Sequence, residues 1–140
     1  MIARMNGRLT LVVGIVASLT AAGCDAGCEN SILQDIASPD GHRHAIIFER
    51  SCGATTDFST QVSIVPTVRD VNGAGNVFVA DTDHERAASD AGGGPAVSAR
   101  WIDGSTLEIR YDSAARIFRY ERRYDDTEIR YVAVRPTSRP

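Results

Sequence analysis

Residues 28–52 read CENSILQDIASPDGHRHAIIFERSC, and this stretch decides how the fold begins. Its centre, SPDG at positions 38–41, has proline second and glycine fourth, which is typical of a type I turn followed by a left-handed glycine. A three-residue hairpin loop of this kind pairs Ser38 with His42. The apolar residues on both sides therefore predict two antiparallel strands joined at this turn.

The same register predicts a disulfide. If no bulge intervenes, pairing outward from the turn brings Cys28 opposite Cys52, and opposed residues of paired strands lie within disulfide range. The chain has three cysteines, and the third is Cys24. A metal site and a reactive Cys52 are the alternatives, but the cysteine and histidine spacing of zinc sites is missing and no base lies nearby in sequence.

Beyond this hairpin, short runs with apolar residues at every second position alternate with turn residues, and no run keeps helical spacing for three turns. We therefore expect one all-β domain, either an antiparallel β-sandwich or a strongly curved sheet made of consecutive hairpins. The predicted strands are 31–37, 42–51, 60–65, 76–80, 97–101, 106–111, 117–122 and 128–134.

The composition limits the classes of function. The chain has 140 residues, of which 43% are hydrophobic and 24% charged, and this fits a single globular domain. All 15 basic residues are arginine, and they are outnumbered by 18 carboxylates. Because nucleic-acid binding normally needs an excess of positive charge, we exclude that class of partner.

The N-terminus has the features of an export signal. Two arginines precede an apolar run at positions 9–19, which is shorter than the roughly 20 residues of a membrane-spanning helix. The sequence AAGC at 21–24 resembles the lipobox of bacterial lipoproteins, which implies that residues 1–23 are removed and that Cys24 carries the lipid. The alternatives are a permanent transmembrane helix and plain secretion after cleavage behind Ala22.

A lipid on Cys24 accounts for the odd cysteine. The resemblance implies a domain outside the cytoplasm whose membrane contact is the N-terminal lipid alone. If the host is Gram-negative, Asp25 is similar to the signal that retains lipoproteins at the periplasmic face of the inner membrane. We expect a tether at 24–30, a β-domain at 31–135 and a frayed tail at 136–140, with mobility as the favoured interpretation of the long loop 81–96.

Two resemblances concern the mature domain. The turns at 38–41 and 101–104 look like those of TolB-type propeller blades, but a propeller needs several blades and the chain is too short for that. The combination SPDG, FER, CGATT and FSTQVSI, at 38–41, 48–50, 52–56 and 58–64, resembles a family of small exported bacterial proteins of unknown function. This resemblance implies membership of that family and no particular mechanism.

Residues 51–61 form the candidate partner-binding loop. A disulfide would fix the start of this hydroxyl-rich segment, and a pre-organised polar loop suits recognition of a polar partner. The residues proposed for contact are Thr55, Thr56, Asp57, Ser59 and Thr60. The alternative is a structural turn whose hydroxyl groups bond to the backbone.

We expect no metal and no cofactor. His42 and His44 share a strand face but lack a visible third ligand. The acidic motif at 81–85 starts like a calcium loop, yet arginine and glycine occupy the sixth and twelfth positions, which rejects that motif.

The sequence thus predicts a lipid-anchored binding or structural domain of the cell envelope that is not an enzyme. An inhibitor of an envelope hydrolase such as a lysozyme is the second hypothesis, and an enzyme of unknown class is the third. The oligomeric state is left open.

Overall fold

The computed structural model describes residues 27–53 and 56–135. Nine strands form in this part of the chain: β1 (Glu29–Ala37), β2 (His44–Ser51), β3 (Ser59–Val65), β4 (Phe78–Asp81), β5 (Val97–Asp103), β6 (Thr106–Asp112), β7 (Arg116–Tyr120), β8 (Arg123–Tyr124) and β9 (Thr127–Val134). A short 3-10 turn spans Val68–Asp70. No helix within the described ranges is long and apolar enough to cross a membrane.

The strands form two sheets, in the order β1-β2-β3-β4-β7 and β5-β6-β9-β8. Alternate residues of both sheets point inward and form the main apolar core, because successive side chains of a strand point to opposite faces. The core includes Ile47 and Val62 of the first sheet and Leu107, Ile109 and Ile129 of the second, all of them buried. A second, smaller buried cluster consists of Ile46, Phe48 and Val65. The expected all-β fold is confirmed, and its architecture is the β-sandwich.

One strand pair departs from the antiparallel expectation. β6 and β9 run parallel, with Leu107 opposite Ile129. Between them the chain crosses to the first sheet, where β7 pairs with β4, and it returns through β8. This excursion replaces the consecutive hairpin that the sequence predicted and makes β7 an edge strand.

The turn of the first hairpin is one residue longer than predicted. The backbone N–H of Ser38 donates to the carbonyl of Arg43 over 2.8 Å, so Ser38 is paired with Arg43 and not with His42. The Asp40 carboxylate accepts the backbone N–H of His42 at 3.1 Å and holds the additional residue in the loop. The expected left-handed glycine is present, since Gly41 has φ 73°.

A bulge in β1 restores the register at the far end of the hairpin. Pairing shifts by one residue between Ile32 and Gln34, so that Glu29 again lies opposite Ser51. Cys28 and Cys52, the next residues outward, form the predicted disulfide with a Cα–Cα distance of 4.0 Å. β1 also begins earlier than the expected domain boundary, because Glu29 and Asn30 belong to the strand and not to a tether.

The long loop 81–96 is held in place, contrary to the mobility expected for it. Ala87 is buried, and its N–H donates to the carbonyl of Thr82 over 3.0 Å. Ser89 forms a β-bridge with Pro95, and the hydroxyl of Thr60 donates to the Pro95 carbonyl over 2.8 Å. The glycines between these residues let the backbone lie directly on β2 and β3, which fixes the loop.

Candidate functional site

A polar groove of about 480 Å³ opens in the first sheet at the end that carries the disulfide. Strands β3, β4 and β7 form its floor, and the segment after the disulfide and the start of the long loop form its walls. The lining residues are Thr56, Asp57, Ser59, Val79, Asp81, His84, Arg116 and Phe118. Three stretches that are distant in sequence, 56–59, 79–84 and 116–118, therefore contribute to one site, which we call the disulfide-end groove.

The structure brings three of the five loop candidates into this groove and separates a fourth from it. Thr56, Asp57 and Ser59 line the groove. Thr60 is only 2% exposed and its hydroxyl bonds to the long loop, so its inclusion as a contact residue is corrected. Strand alternation explains the difference, because neighbouring residues point to opposite faces. Thr55, the fifth candidate, lies outside the described residues, as does Cys24.

Two hydroxyl groups of the groove also bond to the backbone, which was the structural alternative for this loop. Thr56 donates to the carbonyl of Gly53 over 3.1 Å, and Ser59 donates to the carbonyl of Arg50 over 3.3 Å. Ser59 also accepts a hydrogen bond of 2.7 Å from Gln61. These bonds fix the side chains that face the groove, so the segment has a structural role in addition to any contact with a partner.

An ion pair forms the centre of the groove. Arg116 of β7 donates from Nε and Nη2 to the two carboxylate oxygens of Asp81 in β4, over 3.2 and 2.5 Å. The two residues are register partners of an antiparallel pair, which explains their contact. Burial opposes ionisation of Asp81, but hydrogen bonds from Arg116 and from the backbone of Asp83 outweigh it and hold the pKa of Asp81 below its ordinary value.

One wall of the groove is a strained turn. Asp83, His84 and Glu85 have φ angles of 48°, 58° and 68°, and three consecutive non-glycine residues in the left-handed region are energetically costly. The backbone N–H of Asp83 donates to Asp81 over 2.9 Å and so holds the turn against the ion pair. The turn places Nδ1 of His84 3.7 Å from Oδ2 of Asp57, across the groove.

An aromatic ring of β7 also lines the site. Strand alternation places Phe118 on the same face of β7 as Arg116, two residues before it. Phe118 is also the additional residue of a bulge, since Ile117 lies opposite Ala80 and Arg119 opposite Val79. Phe118 is 61% exposed and lines the groove, and the Arg116 guanidinium lies 5.0 Å from the centre of its ring.

Sequence reasoning assigned no site role to five residues of the groove, namely Val79, Asp81, His84, Arg116 and Phe118. Asp81 was considered only as the start of a calcium loop. In the structure Asp81 is paired with Arg116 on another strand. No local sequence pattern predicts the contact between Arg116 and Asp81, since it depends on β7 crossing to the first sheet.

A second depression of about 500 Å³ is more apolar, and its lining includes Ala88, Val97, Tyr111 and Asp112. Both of its carboxylates accept backbone N–H groups: Asp112 accepts from Ala114 at 2.8 Å and from Ala88 at 3.3 Å, and Asp90 accepts from Ala91 at 2.8 Å. The bond from Ala88 attaches the long loop to β6. The disulfide-end groove combines an ion pair, a left-handed turn and an exposed aromatic ring, and is the stronger candidate for a site.

Two of the residues considered for metal binding, His44 and Asp81, contact other side chains. His44 contacts Asp35, with 2.6 Å between Nδ1 and Oδ1, and Asp81 is bound by arginine. Within the described ranges, no three histidine, cysteine or acidic side chains are grouped so that they could hold a metal ion.

The ion pair predicts a pH-dependent effect on stability. Because the pKa of Asp81 is lowered in the folded protein, its carboxylate stabilises the fold above its ordinary pKa, and this contribution is lost as the pH falls through the lowered value. Asp81→Asn is expected to reduce the free energy of unfolding by about 1–2 kcal/mol at pH 7. In urea titrations the difference in free energy of unfolding between the variant and the wild type should become smaller towards about pH 3. An equal difference at pH 7 and at pH 3 would contradict a stabilising, ionised Asp81.

Comparison of the chain with models of protein families, with curated proteins and with solved structures finds no match.

Proposed function

We propose that the protein is a lipid-anchored, non-enzymatic binding domain of the cell envelope, and that the disulfide-end groove recognises its partner. The observation that carries the proposal is the way the groove is built. One wall is the segment that follows the disulfide, and the other is the turn of three left-handed residues. An ion pair links two strands of the floor, β4 and β7.

The energetic cost of the left-handed turn supports a role in binding. Strained backbone is maintained only where the surrounding contacts enforce it, and it concentrates at functional sites. Rigid groups bind more tightly than mobile ones because less conformational entropy is lost on association. Phe118 adds an exposed aromatic side chain that a bound partner would cover, and aromatic residues are enriched where partners bind.

The bonds of Ser59 favour binding over nucleophilic catalysis. The Ser59 hydroxyl donates to the carbonyl of Arg50 and accepts from Gln61, and Nδ1 of His84 approaches the carboxylate of Asp57. An activated serine needs a base within hydrogen-bond reach. The groove therefore presents fixed polar groups to a partner.

The proposed anchor would place the groove close to the membrane. Cys24 precedes Cys28 by four residues, a length of chain that reaches at most about 14 Å when fully extended. The disulfide marks the end of the sandwich at which the groove lies. A partner in the groove would thus be a component found near the membrane surface.

The anchor is tested on the full-length product. We expect partition into detergent and the mass of an acylated N-terminus at Cys24, whereas Cys24→Ser should be released or misprocessed. A mature chain that begins before an unmodified Cys24 would exclude the lipid anchor.

Binding through the groove is tested by capture from detergent-solubilised envelope under mild crosslinking. The full-length protein is compared with Phe118→Ser in the groove and with Ile102→Ser, a matched control that is 41% exposed on β5. We expect Phe118→Ser alone to lose the captured component. A hydrolase in the eluate would favour the inhibitor hypothesis, and equal capture by all three proteins would contradict the proposal.

A further inference from the structure

We infer that the ligand of the disulfide-end groove is a carbohydrate, recognised through its hydroxyl groups and one apolar ring face. This inference rests on the proposed function and specifies the partner's chemistry. It follows from three properties of the groove: its alternating donors and acceptors, its exposed aromatic ring and its dimensions.

The polar side chains suit hydroxyl groups, which both donate and accept hydrogen bonds. Asp57 offers carboxylate acceptors, and its side chain is 49% exposed. His84, 3.7 Å away, offers a ring nitrogen that donates or accepts according to its tautomer. Arg116 adds N–H donors beside the Asp81 carboxylate. Donors and acceptors therefore face one space in pairs, as neighbouring hydroxyl groups of a sugar require.

The aromatic ring supplies the apolar part of the site. Sugar rings have one face formed by C–H groups, and the negative face of an aromatic ring attracts such groups. Phe118 is 61% exposed and lines the groove. Arg116 lies against this ring, so polar and apolar contacts for one ligand are adjacent.

The size of the groove agrees with an oligosaccharide. Its volume of about 480 Å³ lies within the range of about 300–1,000 Å³ that is usual for sites of small organic ligands. A single inorganic ion would leave most of this space unfilled. Open, polar sites of this kind admit a chain of sugar rings from one side.

Charge and edge geometry disfavour two other occupants. An acidic peptide would meet the carboxylates of Asp57 and Asp81, and of Asp83 behind them. An extended strand added to β7 would meet the bulge at Phe118, and bulged edges resist pairing with another chain. A basic peptide is the strongest alternative, and the experiment includes it.

The test uses full-length protein in a detergent without a sugar headgroup. Tetra-N-acetylchitotetraose, maltotetraose and tetralysine are titrated separately and followed by isothermal calorimetry and by saturation-transfer NMR of the ligand. We expect at least one sugar to bind saturably, with transfer to its ring C–H protons. Asp57→Asn and Phe118→Ala should each weaken binding about tenfold, while Phe118→Tyr and the control Ile102→Ala should retain it.

The outcomes separate this inference from the proposed function. Absence of sugar binding, together with loss of envelope capture in Phe118→Ser, would overturn the carbohydrate ligand and leave the groove as a binding site. Tighter binding of tetralysine that is lost in Asp57→Asn would identify a basic peptide instead. Sugar binding that is unaffected by both groove substitutions would place the ligand elsewhere and would also overturn the inference.

Discussion

Replacing both Cys28 and Cys52 by serine is expected to lower the free energy of unfolding by about 3–4 kcal/mol. The disulfide joins residues separated by 24 positions, and its loss restores conformational freedom to the unfolded chain. The effect is large because small domains have total stabilities of only about 5–15 kcal/mol. Urea unfolding of the double variant and of the oxidised wild type measures the difference.

The same variant tests whether the disulfide also organises the groove. Serine at both positions removes the covalent link while the register of β1 and β2 can persist, so a folded fraction is expected at low temperature. If the segment after Cys52 contributes to recognition, the binding of this folded fraction should also weaken. Normal binding after correction for the folded fraction would confine the disulfide to a stabilising role, and two free thiols in the native protein would refute it altogether.

Gly94→Ala is expected to reduce the free energy of unfolding by about 2–3 kcal/mol. A Cβ atom at this position would lie 2.4 Å from the hydroxyl oxygen and 2.8 Å from the backbone nitrogen of Thr60. The strand backbone cannot move aside without disturbing the pairing of β3 with β4. The loop must therefore lift from the sheet and lose the hydrogen bond between Thr60 and Pro95.

Gly73→Ala is the matched control, because a Cβ atom at that position has no neighbour within 4 Å. Thermal unfolding should show a large fall in the midpoint for Gly94→Ala and almost none for Gly73→Ala. Equal midpoints would mean that the loop 81–96 does not pack on β3 and that the mobility expected from its sequence was right.

The fold was largely predictable because a period of two is a strong local signal. Leu107 and Ile109 alternate with Glu108 and Arg110, and the first pair is buried while Arg110 faces solvent. The boundaries of β9 were predicted to within a few residues for the same reason. Those of β2 and β3 were predicted equally closely, although both strands are buried along nearly their whole length and show no alternation in burial. The parallel pairing of β6 with β9 was not predictable, since it depends on which sheet β7 joins.

The predicted pairing of Cys28 with Cys52 is correct, but the strand register that produces it differs from the predicted one in the turn and within β1. The additional residue in the turn, held by Asp40, and the bulge at Leu33 shift the pairing in opposite directions, and the two shifts cancel before Cys28. Local turn rules do not specify a bulge within the adjoining strand. The predicted and the observed pairing therefore agree at the cysteines, although they differ in the length of the turn and in the bulge of β1.

Only one wall of the groove, the segment after the disulfide, was predictable from the sequence. The hydroxyl-rich segment after Cys52 was visible as a candidate, whereas the partners of its residues come from β4, β7 and the long loop. The left-handed turn at 83–85 consists of ordinary polar residues, and glycine, the usual marker of this backbone conformation, is absent from those three positions. The long loop likewise appeared mobile because its close contacts are made by glycines, which add no apolar signal.

Site-specific photo-crosslinking in the intact envelope tests the central claim most directly. A photoreactive phenylalanine analogue replaces Phe118 in the groove or Ile102 on β5 in otherwise identical full-length proteins, and both side chains are exposed. If the disulfide-end groove is the binding site, irradiation should give a discrete crosslinked product from position 118 and none from position 102. The same product from both positions, or a product from position 102 alone, would contradict the account.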